Sequence, residues 1–163
     1  MGSLTQRDDD RSNATFSQQA ISFFIHIALA LGSWLALMCA GYALNPPAIP
    51  QVMIFVLSFL IPFAVGNIFV RFRQDDLAPL VWLIGLIWML IISLWILDMP
   101  TGPNQCFQCD ATEKLTRTFF SWPRPSGLID NDGPFLGTWP AIAFIGYAIG
   151  AKLALKKPAD KEN

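Results

Sequence analysis

Residues 77–97, LAPLVWLIGLIWMLIISLWIL, decide the fold class of this chain, because 21 consecutive positions carry no charged side chain. An α-helix rises about 1.5 Å per residue, so about 20 apolar residues cross the hydrocarbon core of a bilayer. Three further apolar runs of similar length lie at 20–44, 52–70 and 135–155. The sequence therefore predicts an all-α integral membrane protein, a four-helix bundle formed by residues 20–155.

The composition supports a lipid environment. Hydrophobic residues make up 53% of the chain, against about 45–50% in soluble domains, and charged residues make up 14%. The charges gather between the apolar runs, since the bilayer core does not solvate them. The net charge is −1 and no basic stripe is present, so we expect the lipid bilayer, and no nucleic acid, as a partner.

Three segments lie outside the apolar runs. Residues 1–19 are polar and include three consecutive aspartates, so we expect a disordered N-terminal arm. Residues 98–134 form a long loop, and residues 156–163 form a basic C-terminal tail. None of these segments is long enough to fold alone, which predicts a single domain.

The distribution of lysine and arginine predicts the orientation. One side of the predicted bundle carries eight of them and the other side three. By the positive-inside rule, both termini are cytoplasmic and the 98–134 loop is on the outer side. The expected location is a bacterial inner membrane or an organellar membrane. The eight are Arg7, Arg11, Arg71, Arg73, Lys152, Lys156, Lys157 and Lys161, and the three are Lys114, Arg117 and Arg124.

Small residues recur every four positions in the first and last runs, and such ridges allow two helix backbones to approach closely. Contacts inside one chain are the preferred interpretation, and a homodimer interface is the alternative. The ridge residues are Ala28, Gly32, Ala36 and Ala40 in the first run, and Gly146 and Gly150 in the last.

Two polar residues within the runs are candidates for binding. His26 is the only histidine, and Asn67 lies at a similar predicted depth in the second run. The simpler interpretation is a hydrogen bond between the two helices, and the functional one is a histidine ligand to haem or a pigment, or a quinone contact. No cofactor is identified by the sequence.

The outer loop contains Cys106-Phe107-Gln108-Cys109, the one stretch with evident chemistry. A CxxC just before a helix N-terminus favours a thiolate, as in dithiol oxidoreductases. A local disulfide that stiffens the loop is the simpler interpretation, and a redox-active pair is the alternative. A metal site is disfavoured, because no further cysteine or histidine lies in the loop.

A short helix is expected directly after the CxxC. Asp110 and Glu113 resemble a capping box. Leu115, Phe119 and Trp122 fall on one face, as in an amphipathic helix lying at the membrane interface.

The layout of four helices, cytoplasmic termini and a cysteine-containing outer loop with a surface helix resembles the bacterial quinone-linked membrane proteins that generate disulfides. Those proteins carry a CxxC in the first outer loop and two separated cysteines in the second. The first outer loop here, residues 45–50, has no cysteine, so one of the two pairs that such an electron relay needs is missing.

The spans hold no carboxylate or arginine at mid-membrane, whereas ion-coupled transporters keep such groups along their path. The preferred hypothesis is therefore a non-catalytic accessory subunit or assembly factor, with other membrane-protein subunits as partners. The alternatives are a thiol–disulfide protein using Cys106 and Cys109, and a pigment- or haem-binding subunit using His26.

Overall fold

The computed structural model describes residues 3–43, 51–98, 110–120 and 137–155. All regular secondary structure in these ranges is helical, so the all-α prediction is confirmed there. The elements are α1 (Ser3–Ala43), α2 (Gln51–Phe72), a 3₁₀ turn (Ala78–Val81) leading directly into α3 (Trp82–Asp98), α4 (Ala111–Phe120) and α5 (Thr138–Ala154).

Three helical segments in the described ranges are long and apolar enough to cross a membrane. They are Phe16–Gly41, Val52–Phe72 and Ala78–Asp98. This finding agrees with the prediction of a multi-pass integral membrane protein.

Helix α1 begins well before the first apolar run. It starts at Ser3, so residues 3–19, for which the sequence predicted a disordered arm, are part of this helix. Extending an existing helix adds one hydrogen bond per residue without a new nucleation step, and no glycine or proline interrupts α1 before Gly32. The apolar helix therefore serves as a template for the polar residues that precede it.

Helix α5 is the centre of the fold, with 11 of its 17 residues buried. Its most extensive contacts are with α2. A Cβ atom on Gly146 would lie 2.5 Å from the carbonyl oxygen of Phe59, and one on Gly150 would overlap the carbonyl oxygen of Phe63. The two glycines thus let the α2 and α5 backbones touch. Because 59 faces 146 and 63 faces 150, α2 and α5 run parallel.

Helices α1 and α3 flank this central pair. On α1 the buried positions recur every four residues, at Ser22, His26, Ala30 and Trp34. On α3, Gly85 lies against α5, where an added Cβ would be 3.1 Å from the carbonyl oxygen of Ala141. Most other α3 side chains point away from the bundle and remain exposed apolar groups, as expected for lipid-facing positions.

Helix α4 occupies the position of the predicted short helix. The Oδ1 atom of Asp110 accepts a hydrogen bond from the backbone N–H of Glu113 at 2.7 Å, which is the N-cap interaction. Glu113 also accepts two hydrogen bonds from Arg117, one turn later. Both interactions hold the first turns of α4.

The apolar face of α4 packs inward. Phe119 is buried against Ile92 and Ile96 of α3, and Leu115 packs against the same cluster. The sequence predicted that this face lies on the membrane surface. In the structure it packs against the apolar surface of α3 instead. Trp122, predicted for the same face, lies outside the described residues.

Candidate functional site

His26 lies at the centre of a buried polar cluster, with no exposed surface. Its Nδ1 atom is 2.7 Å from the hydroxyl of Tyr147 on α5. Its Nε2 atom is 3.2 Å from Oδ2 of Asp75, in the connection between α2 and the 3₁₀ turn. The edge of the ring also faces Phe69 on α2, with centroids 5.4 Å apart. The imidazole of α1 therefore contacts two other helices, α5 and α2, and the α2–α3 connection.

Asp75 joins this cluster to the start of the third span. Its Oδ1 atom accepts a hydrogen bond from the backbone N–H of Leu77 at 2.9 Å, and its carbonyl oxygen accepts one from the N–H of Ala78 at 3.2 Å. Its Oδ2 atom accepts a hydrogen bond from the hydroxyl of Ser22 on α1. The carboxylate thus fastens the first turn of the third span to α1.

Opposing effects act on the pKa of Asp75. Burial raises this pKa, whereas the hydrogen bonds from Ser22, from the backbone of Leu77 and from His26 lower it. The hydrogen bonds outweigh burial, and the pKa of Asp75 lies below its usual range. Asp75 is therefore a carboxylate at neutral pH.

The donors and acceptors of the cluster form a consistent pattern. With a neutral imidazole, Nε2–H donates to the Asp75 carboxylate, and Nδ1 then accepts the hydroxyl proton of Tyr147. Both ring nitrogens are used, so a metal ion at His26 would have to displace one of these partners. The arrangement is suited to holding helices together, and it is poorly suited to axial ligation of haem.

A polar groove of about 270 Å³ opens beside the cluster, between α1 and the α2–α3 connection. It is open to the surroundings, and Asp75, with 14% of its side chain exposed, connects it to the buried histidine. The groove is lined by Gln18, Gln19, Ser22, Arg73, Asp75 and Leu77.

The predicted pairing of His26 with Asn67 is wrong. Asn67 donates its Nδ2–H to the carbonyl oxygen of Gly150 at 3.2 Å, and His26 uses Tyr147 and Asp75 instead. The reason is the central position of α5, which supplies both Tyr147 and Gly150. The sequence held one partial signal for Tyr147, a tyrosine within an apolar run, but Tyr42 shares it.

The predicted small-residue ridges face different surroundings. Gly146 and Gly150 lie against α2 within the chain. The α1 ridge, in contrast, points outward, away from the buried stripe of the same helix. All four of its residues are exposed: Ala28, Gly32, Ala36 and Ala40.

The predicted cysteine site falls outside the described residues, which include neither Cys106 nor Cys109. The third cysteine, Cys39, is an exposed free thiol on α1. It lies seven residues after Gly32, two helical turns along nearly the same face.

No protein-family model, no curated protein and no solved structure matches this chain. Its function must therefore be inferred from the residues and contacts described above.

Proposed function

We propose that this protein is a four-helix, multi-pass membrane protein that acts as a non-catalytic accessory subunit or assembly factor of a larger membrane complex. It contacts its partner through the α1 ridge, Ala28, Gly32, Ala36 and Ala40. The observation that carries the proposal is the outward position of this ridge. In the proposed topology both termini are cytoplasmic and α4 lies on the outer side.

The parallel arrangement of α2 and α5 supports four crossings. If the chain crosses the membrane with α1, returns with α2 and crosses again with α3, then a fourth crossing runs parallel to α2. Helix α5 has 17 residues, the lower end of the range of about 17–25 that spans a bilayer. Because α5 is central and buried among the other helices, it can cross the membrane with little lipid contact, and a short apolar segment is sufficient.

The α1 ridge supports a helix partner. A Cβ atom on Gly32 would meet no other atom within 4 Å, so the backbone of α1 is open to close approach there. Small side chains offer few contacts to lipid, whereas a second helix packed on them gains extensive van der Waals contact. The ridge carries no charge, which favours an apolar transmembrane helix of another membrane protein as the occupant.

The polar cluster supports a structural role for His26. Asp75, His26, Tyr147 and Ser22 hydrogen-bond to one another, which ties α1 to α5 and to the start of the third span. Interhelical hydrogen bonds of this kind contribute about 0.5–2 kcal/mol each in membranes. The cluster therefore fixes the rotation of α1, and with it the outward direction of the ridge.

Enlarging the ridge tests the proposal. Gly32→Leu and Ala36→Leu should abolish co-purification of a defined partner. The measurement is purification in mild detergent with identification of the bound proteins by mass spectrometry. Ala64→Leu is the matched control, because Ala64 is an exposed small residue on α2, away from the ridge. Equal recovery of the same partners with all three variants, or a partner-free monomer in the wild type, would refute the proposal.

Cys39 distinguishes a heteromeric partner from a second copy. In a chain carrying Cys106→Ser and Cys109→Ser, oxidation of membranes should leave Cys39 uncrosslinked to another copy. Efficient formation of a Cys39–Cys39 dimer would show that the ridge binds a second copy and would replace the accessory-subunit proposal.

A further inference from the structure

The polar groove lies at the end of the bundle, where the chain leaves its apolar spans. The second span ends at Phe72, and the next residues form the wall of the groove. On the opposite wall, Ser22 of α1 is bonded to Asp75, so this part of α1 lies level with the α2–α3 connection. On this wall Gln18, Gln19 and Ser22 lie in the first two turns of the span Phe16–Gly41, so the groove is at the edge of the apolar layer, next to the headgroups.

One side of the groove offers only hydrogen-bond acceptors. The Asp75 carboxylate has about four lone-pair positions, and Ser22, His26 and Leu77 occupy three of them. The Ser22 hydroxyl gives its proton to Asp75, so its oxygen is left as an acceptor. A compact cation with several N–H donors, such as a primary ammonium group, can donate hydrogen bonds to these free acceptor positions.

The other side of the groove offers donors. Arg73, two residues before Asp75, carries five N–H groups and is exposed at the groove. Gln18 and Gln19, whose side chains carry amide N–H donors, line the same space. An arginine with neighbouring amides suits a phosphate, since the guanidinium can donate two parallel hydrogen bonds to it.

We propose that this groove binds a phosphoethanolamine group, with its ammonium at Asp75 and Ser22 and its phosphate at Arg73. Asp75 and Arg73 line the same groove and are two residues apart in the chain, so a single small zwitterion carries the two charges that these side chains complement. The height of the groove favours the headgroup of a phosphatidylethanolamine lipid, and soluble glycerophosphoethanolamine has the same chemistry. The proposal is independent of the partner bound at the α1 ridge.

Stepwise methylation of the headgroup amine tests the ammonium site. Each methyl group removes one N–H donor, from three in phosphatidylethanolamine to none in phosphatidylcholine. Native mass spectrometry of the intact protein in detergent, titrated with each lipid, should show affinity falling along this series by about tenfold or more overall. Equal binding of phosphatidylcholine, or stronger binding of phosphatidylglycerol, would overturn the proposal.

A pair of neighbouring arginines tests the phosphate site. Arg73→Gln should weaken phosphatidylethanolamine binding about tenfold, the loss expected for a charge-assisted hydrogen bond. Arg71→Gln removes the same charge from an exposed position outside the groove, and it should leave binding unchanged. Equal losses in both variants would show general surface attraction and would refute a specific site.

Soluble glycerophosphoethanolamine separates the two sources of the ligand. Competition at concentrations similar to those of the lipid would identify a site for the free headgroup. Competition only at much higher concentrations would identify a lipid site, in which the acyl chains contribute to binding. If phosphatidylethanolamine itself does not bind above the level of phosphatidylcholine, the proposal fails in both forms.

Discussion

The Nδ1 atom of His26 and the hydroxyl oxygen of Tyr147 lie 2.7 Å apart, although the two residues are separated by 121 positions in the chain. The bond joins α1 to the central helix α5, and both side chains are fully buried. On the other side of the ring, Asp75 bonds to Nε2 and to the backbone N–H of Leu77, next to the start of the third span. Two hydrogen bonds of one imidazole therefore set how three parts of the fold meet.

Removing the Tyr147 hydroxyl should destabilise the protein. Tyr147→Phe leaves Nδ1 of His26 buried without its partner, and we expect a loss of about 1–2 kcal/mol in the free energy of unfolding. Ser93→Ala is the control, because the Ser93 hydroxyl bonds to the Met89 carbonyl of its own helix. The measurement is unfolding in detergent followed by circular dichroism. Equal losses in both variants would show that the contact between α1 and α5 does not depend on this bond.

The pH dependence of the free energy of unfolding should reflect the ionisation of the Asp75 carboxylate. Because the hydrogen bonds keep its pKa below the usual range, the carboxylate contributes stability that is fully present above its unfolded pKa of about 3.9. This contribution is lost as the pH falls through the lower folded pKa. The stability difference between the wild type and Asp75→Asn should therefore be constant above about pH 5 and shrink below about pH 4.

The neighbouring aspartate provides the control for this measurement. Asp76→Asn removes the same charge from an exposed position next to Asp75, so it measures the general effect of losing one negative charge there. A difference between wild type and Asp75→Asn that does not change between pH 7 and pH 3 would contradict the assigned hydrogen bonds.

The sequence predicted which segments are helical better than how they face one another. Residues 77–97 are uninterrupted and apolar, and Asp110 with Glu113 marks the start of α4 locally. Helices α3 and α5 are apolar on all sides, however, so no polar stripe indicates their rotation. Their orientation depends on close contacts between helices, such as Gly150 against Phe63, and these are properties of the assembled fold.

The same limit applies to α1 and to the candidate site. Two stripes with a spacing of four residues run along α1, and the small residues of one stripe suggested packing inside the bundle. The stripe through Ser22 and His26 is the buried one, because polar side chains in a membrane helix seek partners inside the protein. The partner Asp75 lies in a connection outside the apolar runs, where the sequence gives no indication of its contact with His26.

The contact between α4 and α3 should depend on Phe119. Phe119→Ala removes a buried ring from the cluster with Ile92 and Ile96, and such truncations cost about 3–5 kcal/mol in a packed core. Because α3 is the main neighbour of α4 among the described residues, we expect this loss as faster amide exchange in residues 111–120. Phe120→Ala is the control, since 75% of Phe120 is exposed. Unchanged exchange in Phe119→Ala would show that the α4 backbone is held by other contacts.

Two glycine substitutions should separate folding from partner binding. A Cβ atom on Gly150 would overlap the Phe63 carbonyl, so Gly150→Val must push α2 and α5 apart. We expect a loss of at least about 1–3 kcal/mol in the free energy of unfolding, as for overpacked cores. Gly32→Val meets open space on α1, so it should leave unfolding of the isolated protein within about 0.5 kcal/mol of the wild type.

Partner binding in the membrane complex should be sensitive to the substitution that leaves folding intact, Gly32→Val. Gly32→Val widens the α1 ridge and should reduce co-purification of the partner, although the protein itself remains folded. Thermal unfolding of the purified variants and partner recovery from matched membranes measure the two effects separately. A strongly destabilised Gly32→Val would place this glycine in an internal contact, and it would remove the main support for the ridge as a binding surface.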